Sequence, residues 1–285
     1  FPSFQTIRVK GRILRLEEPW IMGILNATPD SFYEGSRSLD ISFCIERVAG
    51  MVALGAKIVD IGGHSTRPGA NPVSTEEEIA RVVPIISALR KQFPELVISI
   101  DTYRLAVAQA AIAAGADIFN DIGAGQMDEG IFEWVAQNQV PYILSHSRGA
   151  FDQVHEVPNY QDVVSDVWSD LAQKLQQLRA LGAKDVIIDL GLGFSKSIDH
   201  NYALLANLSA FKTLGAPILI GVSRKSMIYK TLGITAAESL NGTSVLHTIA
   251  LQQGANILRV HDVAEAKEVI TLVSKLQSNG LPNLV

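Results

Sequence analysis

The feature that most constrains this chain is a small phrase, Gly-Ala, standing just before short β-branched runs at five places. Gly55-Ala56 precedes Ile58-Val59-Asp60-Ile61, Gly115-Ala116 precedes Ile118-Phe119-Asn120-Asp121, and Gly182-Ala183 precedes Val186-Ile187-Ile188-Asp189. Gly215-Ala216 leads into Ile218-Leu219-Ile220, and Gly254-Ala255 into Ile257-Leu258-Arg259-Val260. A glycine just past a helix takes the left-handed conformation, and an unbroken apolar run after it suits a strand buried on both faces. Each phrase therefore reads as a helix end turning directly into a strand. Three further runs, 21–25, 97–101 and 141–146, lack the phrase and bring the strands to eight. Between them, residues 41–54, 75–92, 104–114, 128–137, 160–181, 201–214 and 241–253 carry helical periodicity, and Thr75 with Glu78 reads as a capping box. Eight strands alternating with helices argue for an α/β fold with a parallel sheet closed into a (β/α)8 TIM barrel, an open doubly wound sheet being the runner-up. The 285 residues suit one such domain, 1–285. Residues 1–20 fit neither unit. There, 6–9 and 12–16 flank Lys10-Gly11 as a short N-terminal β-hairpin would, placed as a lid over the barrel bottom.

Composition narrows the function classes. With 47% apolar and 19% charged residues the chain buries a large core without disulfides or structural metals, and disorder of its bulk is excluded. A net charge of -5 gives no general attraction to nucleic acid or anionic lipid, so neither partner is expected and any anion site must be local. The single cysteine, Cys44, cannot form an internal disulfide; it reads as a core residue and suits a reducing cytoplasm. No apolar stretch reaches the roughly 18 residues of a membrane span, the best, 105–119, being broken by Gln109 and Asp117. The chain begins at Phe1 instead of Met, which fits removal of a preceding segment.

A (β/α)8 barrel places its chemistry at the carboxyl ends of the strands, and the polar residues collect there. The successive ends carry Asn26 to Phe32, Gly62 to Gly69, Asp101-Thr102, Asn120-Asp121, Ser145 to Arg148, Asp189 with Gly191, Gly193 and Phe194, Gly221 to Ser226, and Arg259 to Asp262. Helix capping explains one such residue, not polar ends on all eight strands. The loops bearing Phe32 and Arg67 are long for such connections and read as lids. Ser223-Arg224-Lys225 with Arg259 and His261 reads as an anion site for a phosphate ester, with no P-loop or Gly-x-Gly-x-x-Gly fingerprint present. Asp101, Asn120 and Asp189 offer acceptors for a flat heterocycle with an amidine-like edge, a guanine or a pterin. The six histidines show no zinc spacing, and His146 reads as a hydrogen-bonded core residue ahead of a ligand.

These motifs together resemble the dihydropteroate synthases of folate biosynthesis, from about residue 21 to 270. The carriers are Gly23-Ile24-Leu25-Asn26-Ala27-Thr28-Pro29-Asp30-Ser31-Phe32, Asp60-Ile61-Gly62-Gly63, Ser65-Thr66-Arg67-Pro68-Gly69, Ser99-Ile100-Asp101-Thr102, Asn120-Asp121-Ile122, Gly193-Phe194, Ser223-Arg224-Lys225-Ser226 and Arg259-Val260-His261-Asp262. The resemblance implies a (β/α)8 enzyme, dimeric and cytoplasmic, that joins a dihydropterin diphosphate to 4-aminobenzoate with Mg2+ and is the target of sulfonamides. It implies pterin contacts from Asp101, Asn120, Asp189, Phe194, Gly221 and Lys225, and diphosphate contacts from Asn26, Thr66, Arg67, Arg259 and His261. Phe32, Thr66, Pro68, Phe194, Lys225 and Ser226 would frame the aminobenzoate, Asn26 would lie at the Mg2+, and Asp101, Lys225 and Asn26 would be the catalytic residues.

Three positions depart from the family pattern: His64 stands for the usual Glu, Ser145 for a Met that packs on the pterin, and Leu190 for the Pro of Asp-Pro-Gly. The alternatives are a non-catalytic pterin-binding paralogue, supported by those departures, and a methyltetrahydrofolate-dependent corrinoid methyltransferase. A Schiff-base aldolase using Lys225 is a weaker reading, because Lys225 follows Arg224 in a basic turn.

Overall fold

The structure is a computed structural model that describes residues 5–27, 37–64, 73–149 and 156–280. It opens with β1 (Thr6–Val9) and β2 (Arg12–Arg15), antiparallel, with Val9 opposite Arg12. Lys10 (φ 49°) and Gly11 (φ 77°) are both left-handed, as a two-residue type I′ hairpin turn demands. The barrel strands follow: β3 (Trp20–Asn26), β4 (Ile58–Gly62), β5 (Val97–Asp101), β6 (Ile118–Asp121), β7 (Tyr142–Ser145), β8 (Val186–Asp189), β9 (Ile218–Ile220) and β10 (Ile257–Val260). Each pairs in parallel with the next, and β10 returns to β3, closing the barrel with Val260 opposite Gly23. Around it run α1 (Arg37–Ala53), α2 (Thr75–Gln92), α3 (Leu105–Ala113), α4 (Ile131–Asn138), α5 (Val163–Ala180), α6 (Ile198–Ala206), α7 (Ser226–Leu232), α8 (Leu240–Gln252) and α9 (Val263–Ser278).

The Gly-Ala phrases do what the sequence requires of them. Gly55, Gly115, Gly182, Gly215 and Gly254 have φ of 104°, 115°, 98°, 64° and 102°. At four of them the alanine N–H reaches back into the helix: Ala56 to Met51 O and Ala116 to Ala111 O at 2.9 Å, Ala183 to Leu178 O at 2.9 Å, Ala255 to Ala250 O at 3.0 Å. That bond is the Schellman closure, which satisfies a terminal carbonyl while reversing the chain. The alanine is small because it is buried where the turn meets the sheet.

Helix starts depart from the expectation by a few residues. The cap of α2 is Ser74, whose hydroxyl accepts the Glu77 N–H at 3.1 Å, one residue before the expected Thr75. With Ser74 as the cap the third helical position falls on Glu77, which puts Glu78 out of register for a capping box; its buried carboxylate takes Arg104 Nη1 at 2.6 Å. Asp128 is not helical; its carboxylate accepts from Leu105 N at 2.8 Å and Glu129 N at 2.9 Å, leaving Gly130 (φ 75°) to start α4. The expected helix 201–214 is two pieces. α6 starts earlier, at a capping box between Ser197 and His200, and a 3-10 segment, Leu208–Leu214, follows it.

Apolar packing forms two bodies. The larger lies between strands and helices and includes Cys44, in accord with its core reading. The smaller fills the barrel bottom: Met22, Ile58, Val97, Ile118, Ile143, Ile187, Leu219 and Ile257, one from each barrel strand, meet Ile7, Val9 and Leu16 from the hairpin side. The hairpin is also tied by Arg8 N–H to Asp185 Oδ1 at 2.7 Å and by Lys10 to Asp117 at 3.0 Å. The expected lid over the bottom is therefore present.

Candidate active site

Side chains alternate along a strand, so the residue two places on from each bottom-layer apolar side chain faces the same interior. On seven of the eight strands the chemistry changes there, β3 alone keeping an apolar residue, Ile24. Ile58 gives way to Asp60, Val97 to Ser99 and then Asp101, Ile118 to Asn120, Ile143 to Ser145, Ile187 to Asp189, and Ile257 to Arg259. Leu219 gives way to Gly221, where an added Cβ would stand 3.7 Å from Lys225 Nζ and 3.8 Å from Arg259 Cβ. A side chain at Gly221 would thus intrude between the two cations.

Arg259 organises the chamber. Its Nε donates to Asp60 Oδ2 at 2.6 Å and its Nη2 to Asp101 Oδ2 at 2.5 Å. Asp60 Oδ2 also accepts Asn120 Nδ2 at 3.0 Å. Burial pushes the Asp101 carboxyl upward, with Asp60 and Glu78 adding to it, against the pull of Arg259 and Lys225. Burial also raises Asp189, opposed chiefly by Lys225 and by the Gly191 N–H that its Oδ1 accepts at 2.9 Å. Among the described residues, Asp60 Oδ1, Asn120 Oδ1, Ser99 Oγ and Ser145 Oγ are buried without hydrogen-bond partners. Each such atom costs about 1–3 kcal/mol unless something fills the chamber and bonds to it.

Lys225 sits just before α7 and makes no side-chain cap bond there, so its chain is available to the mouth. Its ammonium donates to Leu192 O and lies 4.9 Å over the Phe194 ring. Burial brings its pKa down to about 8, against the pull of Asp189. The glycines beside it are constrained: a Cβ on Gly193 (φ 89°) would meet Lys225 Cδ at 3.1 Å, and one on Gly191 (φ 63°) would sit 1.9 Å from His146 O.

The expected cation cluster is only partly assembled. Arg224, held at φ 53°, turns away and grips Asp262 through Nε at 2.8 Å and Nη2 at 2.9 Å, with Ala236 O and Ala237 O on its Nη1. It clamps the loops after β9 and β10 together, its donors taken by Asp262 and two carbonyls. His261 is exposed and positioned by Ser223, whose hydroxyl lies 3.1 Å from its Nδ1. Asn26 is exposed at the rim at the end of β3, and Ser226 opens α7. Phe32, Thr66, Arg67 and Pro68 lie outside the described residues.

Two groups were given no role by the sequence reading. Asp60 lies in mid-strand, away from the strand end where function was sought, although a carboxylate inside an apolar run was a usable signal. Lys196 carried none. Its buried ammonium lies 2.9 Å from His146 Nδ1 and donates to the carbonyls of His146, Gly191 and Phe194 at 3.2, 3.0 and 2.9 Å. It thereby pins the loop that carries Phe194, and burial lowers its pKa to about 7. His146 is buried and hydrogen-bonded, as read.

The departures have distinct surroundings. Leu190 is wholly buried in the outer core. His64, 6.2 Å from the Tyr103 ring, is held toward its neutral form by burial and by Arg104 and Arg81. Ser145 lies buried on the inner face of β7. Elsewhere, a cavity of about 400 Å3 opens between α4 and α5, but Asp128, Glu129, Glu133 and Asp170 line it against Lys174, which suits an anionic substrate poorly.

Residues 22–261 match a family of proteins described as pterin binding enzyme. The dihydropteroate synthase of Escherichia coli (strain K12) is 40% identical over 266 residues, 93% of this chain and 94% of that protein. The dihydropteroate synthase of Streptococcus pyogenes is 44% identical over 260 residues, 90% of this chain and 95% of that protein. The solved Xanthomonas albilineans dihydropteroate synthase with 4-aminobenzoic acid aligns at a TM-score of 0.89 and 38% identity, covering 97% of this chain and 99% of that one. The Yersinia pestis synthase in complex with a sulfonamide drug aligns at 0.88 and 36%, covering 97% and 100%.

Proposed function

The chain belongs to the pterin binding enzyme family, and from that membership we propose that it is a transferase of folate biosynthesis, a dihydropteroate synthase. It joins 6-hydroxymethyl-7,8-dihydropterin diphosphate to 4-aminobenzoate, giving 7,8-dihydropteroate and diphosphate. The observation that carries this reading is the chamber itself: two buried carboxylates, Asp60 and Asp189, the half-buried Asp101, an amide and two cations facing one barrel mouth. Asp101, Asn120 and Asp189 hold the donor edge of the pterin ring, Lys225 an acceptor of it, while Gly221 and Phe194 leave and fill the space beside it. Asn26, Arg259 and His261 take the diphosphate, with Thr66 and Arg67. Phe32, Thr66, Pro68, Phe194, Lys225 and Ser226 frame the aminobenzoate.

The chemistry follows from charge. The C–O bond to diphosphate breaks with its electron pair leaving on oxygen, and the pterin ring delocalises the cation left on the methylene. The Asp101 carboxylate, ion-paired in the chamber, stabilises that cation, while Arg259 and His261 stabilise the departing diphosphate. The aromatic amine then attacks the methylene and gives its proton to solvent; a neutral amine needs no strong base.

Mg2+ belongs to the same reading. Among the described residues no group of three His, Cys, Asp or Glu is placed to hold a metal. Mg2+ is commonly held by one or two protein oxygens together with substrate phosphates and water, and the amide oxygen of Asn26 at the rim suits that pattern. Asn26 would hold the ion with diphosphate oxygens, and the ion, when bound, neutralises charge on the leaving group.

A homodimer in the cytoplasm completes the proposal. It is supported by the exposed apolar side chains of Val245 on α8 and Leu272 and Leu276 on α9, and by a lone buried cysteine. No helix among the described residues is long and apolar enough to cross a membrane. The test is steady-state turnover with both substrates and Mg2+. Asp101→Ala and Lys225→Ala should each lose about 10²- to 10³-fold in rate, the usual cost of one such electrostatic group. Near-wild-type turnover in either variant overturns the assignment.

A further inference from the structure

Asp101 is engaged by a cation, the Arg259 guanidinium, which divides its N–H donors between this carboxylate and Asp60. The forked N–H donors of a guanidinium and the amino-pyrimidinone edge of a pterin present the same pattern to a carboxylate. Arg259 Nη2 takes Asp101 Oδ2 at 2.5 Å while its Nε is anchored on Asp60 Oδ2 at 2.6 Å. Asp60 is in turn fixed by Asn120 Nδ2 at 3.0 Å. The carboxylate read as the pterin's partner and the cation read as the diphosphate's partner are thus bonded to each other. A pterin that binds Asp101 must break that bond.

We propose that Arg259 is a specificity-determining place-holder: it closes the pterin carboxylate until a diphosphate draws it off, so that the two ends of the substrate bind cooperatively. Asp60 is the positioning residue, a pivot that keeps Nε anchored while Nη2 changes partner. An unphosphorylated pterin must displace the charge-assisted Arg259–Asp101 bond unaided, whereas a diphosphate offers Nη2 a more highly charged partner and frees Asp101 for the ring. The same exchange runs backwards after reaction. Once diphosphate leaves, Arg259 returns to Asp101 and competes with the dihydropteroate product, which carries no diphosphate of its own. The inference rests on the pterin and diphosphate reading of this chamber, and adds to it that the two subsites share one switching side chain.

Calorimetric titration of the wild-type protein with 6-hydroxymethylpterin and with inorganic diphosphate, each alone and each in the presence of the other, tests it. Diphosphate should raise pterin affinity by a factor in the usual coupling range of about 5- to 150-fold, and pterin should raise diphosphate affinity by the same factor. In Arg259→Gln the factor should fall to about one. In Asp60→Asn, of unchanged size, kcat/KM for the diphosphate substrate should fall while affinity for the unphosphorylated pterin holds, a split that a merely structural role does not give. If both ligands bind the wild-type independently, or if Arg259→Gln keeps the wild-type factor, the place-holder is wrong and the chamber assignment stands. If neither ligand binds, both fall. Should Arg259→Gln fail to fold, a crystal structure of the wild-type with diphosphate alone decides: Arg259 parted from Asp101 supports the exchange, and an intact 2.5 Å bond overturns it.

Discussion

The two ends of the barrel are built from the same eight strands and the same inward face, yet they share almost nothing in chemistry. At the bottom, eight apolar side chains and three from the hairpin side close a dry plug. Two to four residues further along the same strands, the interior holds Asp60, Asp101, Asn120, Asp189 and Arg259, with four buried polar atoms lacking partners among the described residues. Burying each bottom side chain stabilises the fold by about 1.5–3 kcal/mol. Each unpartnered atom at the mouth works against it by about 1–3 kcal/mol. Stability is gained at one end and yielded at the other.

The division can be broken most forcefully at the bottom. Ile58→Ala or Ile187→Ala should lower the free energy of unfolding by about 2–5 kcal/mol in urea titration, with kcat per folded molecule unchanged. Asp101→Ala, at the mouth, should show the mirror image: a 10²- to 10³-fold rate loss, about 2.7–4 kcal/mol, with no comparable loss of stability. An activity loss from the bottom variants would erase the distinction.

Acidity sharpens the contrast. Burial lowers Lys225 to about 8, so its ammonium is lost as pH rises through that value, and kcat/KM should fall about tenfold per unit above it. Stability moves the other way. Between about 8 and the model-peptide value near 10.5 the unfolded chain binds the extra proton, so this group makes stability rise with pH over that window. Lys225→Arg, which does not titrate there, should abolish the alkaline limb of the pH–rate profile. The smallest effect concerns Ser145. Replacement by Met restores a sulfur–aromatic contact worth about 0.3–1.5 kcal/mol, so pterin affinity should rise by about two- to tenfold in direct titration; no gain would show that another side chain already covers the ring.

The architecture was legible because its signals are local. A left-handed glycine and the alanine bond behind it depend on neighbours in the chain, which is why five strands could be placed from Gly-Ala alone. Helix starts were less legible because Glu78 and Asp128 serve distant partners, Arg104 and Leu105, which no periodicity reveals. At the mouth, strand ends identified Asp101, Asn120, Asp189, Lys225 and Arg259 as neighbours. The sequence could not say which cation turns inward. Arg224 and Lys225 are adjacent, and a single backbone angle, φ 53° at Arg224, together with Asp262, sends the first to a loop clamp and leaves the second in the chamber. Asp60, although part of a recognised motif, was given no role because its place in mid-strand matters only once Arg259 reaches across the barrel to it.

The most direct measurement is simultaneous quantification of dihydropteroate and diphosphate released from 6-hydroxymethyl-7,8-dihydropterin diphosphate, 4-aminobenzoate and Mg2+ by the wild-type protein. The account expects both products in equal amounts, turning over many times per protein. Binding of the pterin diphosphate with neither product formed would contradict it, leaving the mouth of the barrel a pterin-binding chamber without a synthase reaction.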